Sequence, residues 1–393
     1  MTPAARVQAA IELLDAVIAA AKADGAPADR LISDYFKNRR YAGSKDRRAV
    51  RELVFRAVRA CGPVPPTGRA AMLRLAETDP VLVNLFDGSG HGPAVIKPGE
   101  TVAQGGIAAE WLVSALRTSG IDEAEAASLL KRAPLDLRVN TLKADRASIL
   151  LPVEAEWTAA PQGLRVAPGA PVETWDAFQA GQIEVQDTGS QLACLAIGAQ
   201  PGETVLDLCA GAGGKTLAIA AAMDNRGKLV ASDSDRARLA RMAPRAIRAG
   251  AGMIETRLLN PGQELEVLAD LADRCDAVLI DAPCSGTGTW RRNPEARWRL
   301  TTDRLARFAQ VQARLLDVGA NLVAPGGRLI YVTCSLLDEE GAGQIESFLA
   351  RHDGWGADDI DLPLGEARGR GWRLSPGRDE TDGFFIARLT RAC

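Results

Sequence analysis

From residue 182 onward, short apolar runs alternate with helical stretches, and this alternation restricts the possible fold more than any other feature. The runs lie at 204–208, 228–232, 254–259, 276–281 and 328–333. Runs this short and apolar, separated by helix-length segments, are the pattern of a doubly wound, mostly parallel α/β sheet. Open sheets of this kind bind ligands outside the carboxyl ends of their strands. Two of the runs end in cysteine motifs, one at Asp281-Ala282-Pro283-Cys284-Ser285 and the other at Thr333-Cys334-Ser335. Both thiols are therefore expected in one crevice, although 334 − 284 = 50 residues separate them along the chain. Two thiols at such a place point to covalent chemistry rather than packing.

The 393-residue length predicts two or three domains. With 47% hydrophobic and 25% charged residues, the composition is that of a globular protein. No apolar stretch approaches the length of a membrane span. The N-terminal segment, with Glu12 and Asp15 inside an amphipathic pattern, is unlike a signal peptide. A cytoplasmic monomer with reduced thiols and no membrane attachment is the expectation.

Of the seven cysteines, no two form a C-x-x-C, and His91 and His352 are the only imidazoles. Zinc spacing is thus missing and no metal site is predicted. Cys61, Cys194 and Cys275 read as small apolar filler and Cys209 as packing at a loop edge. Both histidines read as solvated. Net charge is only −3, but it is unevenly spread. Residues 1–60 carry twelve Lys/Arg against seven Asp/Glu, a balance of +5, and residues 284–314 carry seven Arg against two acids, again +5. Two basic segments in an acidic protein, one beside the thiol site, suggest a polyanionic substrate.

Residues 1–100 are expected to form an all-helical domain, with helices at 4–23 and 44–60 and Ser44 as a cap. Residues 103–180 read as a mixed α+β connecting subdomain with helices near 107–118 and 122–131 and a strand at 137–140. Residues 181–393 form the sheet domain.

The run at 204–208 leads into Cys209-Ala210-Gly211-Ala212-Gly213-Gly214-Lys215-Thr216 and then a helix. Glycines there let backbone approach a ligand and aim a helix N-terminus at it. A Walker A loop needs glycine at 209 and a dinucleotide fingerprint needs it at 216, so each pattern fails by one residue. The following run ends at Asp233, where a carboxylate can accept ribose hydroxyls.

Taken together, these motifs resemble the RsmB–Sun family of RNA cytosine-5 methyltransferases. The resemblance rests on Val185-Gln186-Asp187, Asp207-Leu208-Cys209 through Thr216, Asp281 through Gly288, Arg291-Arg292-Asn293-Pro294 with Trp298, Thr333-Cys334-Ser335 and Asp382-Gly383-Phe384-Phe385. It covers roughly 105–393, with Leu137-Arg138-Val139-Asn140 upstream of the core. It implies a class I, Rossmann-like methyltransferase sheet that uses S-adenosylmethionine. Cofactor contacts then fall on Cys209, Ala210, Gly211, Ala212, Gly213, Gly214 and Lys215, with Asp233 on the ribose and Asp281 nearby. Where the family usually has an aspartate near the adenine, this chain has Asn260, which keeps an acceptor oxygen and loses the charge. Tyr41 to Arg48 and Leu53 to Arg59 are similar to a NusB-like helical domain.

The implied chemistry explains two thiols. A thiolate adding to carbon 6 of cytosine makes carbon 5 a nucleophile for the methyl group, and a second group assists loss of the carbon 5 proton. The residues alone leave open which cysteine attacks. The resemblance assigns Cys334 as nucleophile and Cys284 as release helper. Asp281 is expected at the cytosine edge and Lys215 to orient base or cofactor. Arg291 and Arg292 are candidates for RNA phosphates. A helix from Asp338 is expected to aid Cys334 through its dipole, with Asp338, Glu339 and Glu340 opposing a thiolate. Phe384 and Phe385 read as a core strand rather than base-stacking rings. Ribosomal RNA is the favoured substrate and tRNA the nearest alternative. A P-loop nucleotide hydrolase, with Asp281 as the metal acid, is the rival from another class; an inactive RNA-binding protein that keeps the fold is the third.

Overall fold

The computed structural model describes residues 1–23 and 25–393. The chain divides into two compact units, one of residues 1–131 with 289–301 and one of residues 132–288 with 302–393. The helical part therefore continues past the boundary expected at residue 100. The segment expected at 103–180 divides between the units at 131.

The first unit contains helices Pro3–Lys22, Ala28–Lys37, Ser44–Ala60, Gly68–Ala76, Pro80–Val83, Glu110–Thr118 and Glu123–Ser128. Pro3 and the Thr2 hydroxyl start the first of these, the hydroxyl accepting from Ala5 N at 3.2 Å. Gly43, not Ser44, stands at the cap of the third helix. The apolar faces meet in one core that includes Leu13, Leu14, Val17, Val54, Val58 and Met72.

Segment 289–301 completes this unit by capping its helices. Trp298 joins the core. The Arg297 guanidinium donates to the carbonyls of Val58 at 2.7 Å and Cys61 at 2.6 Å, at the C-terminal end of Ser44–Ala60, where carbonyls lack helical partners. Glu295 accepts from Ala28 N at 3.1 Å, at the start of the second helix. Burial lowers the Arg297 pKa to about 9, partly opposed by the Cys61 thiol.

The second unit holds two sheets. A four-stranded antiparallel sheet has the order Glu156–Trp157, Gly163–Val166, Leu135–Val139, Ile183–Val185. The nine-stranded sheet has five parallel strands at its centre and side, in the order Val323–Thr333, Cys275–Asp281, Thr204–Asp207, Lys228–Asp233, Ile254–Leu258. Phe384–Arg391 adds antiparallel to Val323–Thr333, and Gly371–Leu374, Glu366–Arg368 and Trp355–Ala357 complete that edge. Chain order reverses between Thr204–Asp207 and Cys275–Asp281, so the binding crevice lies at the carboxyl ends of these two strands. The expected sheet is present, with Phe384 and Phe385 in a buried strand. Among the described residues, no helix is long and apolar enough to cross a membrane.

Candidate active site

The glycine loop leaves the Thr204–Asp207 strand and ends at helix Gly214–Ala222. Ala210 N donates to Ser232 O at 2.8 Å and Gly213 N to Ala210 O at 2.9 Å. Gly213 has φ +86°, and a Cβ there would meet Met242 Cγ at 2.8 Å, so the turn requires glycine. A Cβ at Gly211 or Gly214 would meet nothing within 4 Å; the backbone there faces open space. The half-buried Asp233 accepts from Gly211 N at 2.8 Å and Asp235 N at 2.7 Å, which fixes its carboxylate and leaves further lone pairs. Asn260 is exposed just past Ile254–Leu258, and its neighbour Leu259 donates to Asp233 O at 2.9 Å.

A strut absent from the sequence reading braces this loop. Arg245 donates to Ala212 O at 2.6 Å and to Glu184 at 2.8 Å. The acid is buried and the arginine half-exposed, and nothing in their sequence spacing marks the pair.

Beneath the loop, Asp207 is fully buried, with one carboxylate oxygen accepting from Thr216 Oγ1 at 2.7 Å and the other without a partner. Burial pushes its pKa up to about 7, against the Thr216 hydrogen bond, and the Asp281 charge adds to the rise. Burial also pushes the Cys209 thiol well above its usual range, helped by Asp207 and Asp233. Cys209 packs against the sheet core, as expected of a loop-edge filler.

Lys215, in the first turn of the loop helix, places Nζ 2.6 Å from Asp281 Oδ2. Its ammonium also lies 5.6 Å from the centre of the Phe384 ring. Burial disfavours the ammonium, but the charges of Asp281, Cys194 and Cys334 outweigh it and hold the pKa above the ordinary lysine range.

Cys284 and Cys334 meet as expected, with sulfurs 3.4 Å apart. Both are half-buried, each just past the end of its strand. Hydrogen bonding to Cys334 raises the Cys284 pKa well above its ordinary value, and burial, the Cys334 charge and Glu340 raise it further. The two loops approach closely: Gly288 N donates to Cys334 O at 3.0 Å, and a Cβ on Gly288 would lie 2.2 Å from Gly383 O. The Asp382-Gly383 motif is anchored in turn by Asp187, which accepts from Asp382 N at 3.1 Å.

The acids after Cys334 do not start a helix. Helix Ala342–Arg351 begins later, so its dipole is not aimed from Asp338. Asp338 pairs with Arg368 instead, accepting from its Nε at 2.9 Å. Glu340, expected in the first turn of that helix, is fully buried. Its Oε1 accepts from Ser285 N at 2.8 Å and Gln312 Nε2 at 3.0 Å; its Oε2 accepts from Ser335 Oγ at 2.6 Å and from Ser285 Oγ.

Other expected residues fall elsewhere. Arg291 is only 5% exposed and belongs to the helical unit, so its guanidinium is packed in protein rather than offered to phosphates. Arg292 is half-buried in the same segment. His352 is not simply solvated, because its ring stacks on Phe348 at 4.1 Å. Cys61 and Cys275 are buried, as filler should be; Cys194 is half-buried.

Residues 194–390 match the family model of the 16S rRNA methyltransferase RsmB/F. The chain is 37% identical over 302 residues to a protein of Synechocystis named probable ribosomal RNA small subunit methyltransferase B, covering 72% of this chain and 66% of that protein. It thus spans about two thirds of the length of the curated relatives it matches. The crystal structure of PH0851 superposes with a TM-score of 0.76 at 26% identity, covering 99% of each chain. A methyltransferase homolog protein from Pyrococcus horikoshii gives 0.60 at 26% identity, covering 72% of this chain and 99% of that one. The larger unit has the class I methyltransferase fold.

Proposed function

The chain belongs to the 16S rRNA methyltransferase RsmB/F family, and on that premise we propose that it methylates carbon 5 of a cytosine in RNA, ribosomal RNA above all. The observation that carries this reading is the pair of sulfurs 3.4 Å apart at the ends of adjacent parallel strands, beside an open glycine loop.

The loop suits S-adenosylmethionine. Gly211 and Gly214 leave room for close backbone approach, and the first turn of a nine-residue helix presents N–H groups without helical partners. Asp233, with lone pairs to spare, would hold the ribose hydroxyls, and Asn260 would accept from the adenine amine. Cys209 to Lys215 would line the rest. When bound, S-adenosylmethionine supplies an electrophilic methyl group.

The side chains divide the remaining work. Cys334, as thiolate, forms a bond to carbon 6 of the cytosine, and the ring electrons displaced toward carbon 5 make it the methyl acceptor. Lys215 and Asp281, locked together at 2.6 Å, orient the polar edge of the base. Cys284 then passes its own proton to water and takes the proton from carbon 5. The electron pair of the broken C–H bond restores the C5–C6 double bond, and Cys334 leaves as thiolate.

Incubation with radiolabelled S-adenosylmethionine and bulk RNA from a strain lacking the protein tests the reading. Label on carbon 5 of cytosine in small-subunit ribosomal RNA is the expected result. Label in tRNA redirects the substrate, and tight magnesium–ATP binding without S-adenosylmethionine affinity overturns the reading in favour of a nucleotide hydrolase.

A further inference from the structure

We propose that Glu340 is a positioning residue for the transfer, its buried carboxylate holding the Cys284 and Cys334 loops in register. This rests on the reading that the two thiols act on cytosine.

Glu340 is 0% exposed, a costly place for a carboxylate. Its four acceptor contacts are divided between the two loops and one helix. Ser285, next to Cys284, gives it both a backbone N–H and a hydroxyl. Ser335, next to Cys334, gives a hydroxyl at 2.6 Å. Gln312, from helix Thr302–Ala320, gives an amide at 3.0 Å and spends its other hydrogen on Pro283 O at 2.9 Å.

The surrounding hydroxyls have one consistent arrangement. Ser285 and Ser335 both donate to Glu340, so Thr287 donates to Ser335 at 3.1 Å and accepts from Leu336 N at 2.8 Å. Ser335 Oγ also accepts from Leu337 N at 3.1 Å. The Glu340 backbone is anchored as well, its carbonyl accepting from the buried Tyr331 hydroxyl at 2.8 Å. A carboxylate accepts at every site and so fixes the direction of each hydroxyl; an amide of the same shape must reverse some of them.

One consequence reaches the sulfurs. Each loop is pinned one residue away from its cysteine, so the 3.4 Å separation depends on the carboxylate.

Glu340→Gln tests this, compared with wild type in kcat, in KM for S-adenosylmethionine, and in the lifetime of the covalent protein–RNA adduct. The expected result is a kcat lower by about 10- to 100-fold, KM changed by less than about twofold, and a longer-lived adduct. Wild-type turnover and adduct lifetime in a folded Glu340→Gln would overturn the proposal. So would a kcat that falls only in step with the melting temperature while adduct lifetime stays unchanged. If Glu340→Gln does not fold, Ser285→Ala and Ser335→Ala decide, since each removes one donor; wild-type adduct lifetimes in both overturn the proposal. A wild-type protein that never methylates cytosine contradicts the proposed function instead, so the two failures are distinct.

Discussion

Lys215 Nζ lies 2.6 Å from Asp281 Oδ2, joining the helix of the glycine loop to the strand that leads to Cys284. This ion pair is mostly shielded on the lysine side, which is 11% exposed, and open on the aspartate side, at 34%. It fits a pair whose carboxylate faces a substrate while its ammonium is held in place. Lys215→Met should therefore reduce turnover by about 100-fold, because a carboxylate without its partner no longer holds the base edge in one orientation. Single-turnover kinetics with saturating cofactor will show this, and an unchanged rate removes Lys215 from the site.

Asp233 makes a separate prediction about the cofactor. Its carboxylate is held by Gly211 N and Asp235 N, so it is fixed in place before any ligand arrives. Asp233→Ala should weaken S-adenosylmethionine binding by at least about tenfold, the loss expected for hydrogen bonds to a charged acceptor. Calorimetric titration measures this directly; RNA affinity should not change.

Asp207 predicts a pH effect on stability. Its folded pKa is about 7, against 3.8 for an ordinary aspartate, so the folded protein holds a proton that the unfolded chain has released. Stability from this group is present in full below 3.8 and is lost as pH rises toward 7, by up to about 1.4 kcal/mol per pH unit. Asp207→Asn keeps an acceptor for Thr216 and cannot ionise. Thermal denaturation should show it gaining more over wild type at pH 7.5 than at pH 5; an equal difference at both contradicts the assignment.

Arg291 and Arg297, after Cys284, are both buried. Arg297→Met removes a donor from each of two helix-end carbonyls and should destabilise the helical unit by about 2–4 kcal/mol. Arg291→Ala should leave the salt dependence of RNA binding unaltered. A fall of about 0.7–0.9 in the slope of log affinity against log salt would instead assign Arg291 a phosphate contact.

Much of this was legible in the sequence, for physical reasons. Central parallel strands such as Cys275–Asp281 are covered on both faces, so they read as unbroken apolar runs. The thiols were legible because each followed such a run directly. Glu340 was not, because its burial is decided by Ser285, Gln312 and Ser335, none adjacent to it in sequence. Three acids in a row look like the first turn of a helix, yet Arg368 and the two serines take Asp338 and Glu340, and the helix starts only at Ala342. Arg291 misled for a related reason: a guanidinium reads the same in sequence whether it faces solvent or is packed in protein.

The roles of the two sulfurs are tested most directly by trapping the protein on RNA. Cys284→Ala and Cys334→Ala, each incubated with substrate RNA and S-adenosylmethionine, are compared on a denaturing gel. A covalent adduct should accumulate with Cys284→Ala and be absent with Cys334→Ala. The reverse pattern, or no adduct from either variant while wild type methylates normally, contradicts attack by Cys334 and release through Cys284.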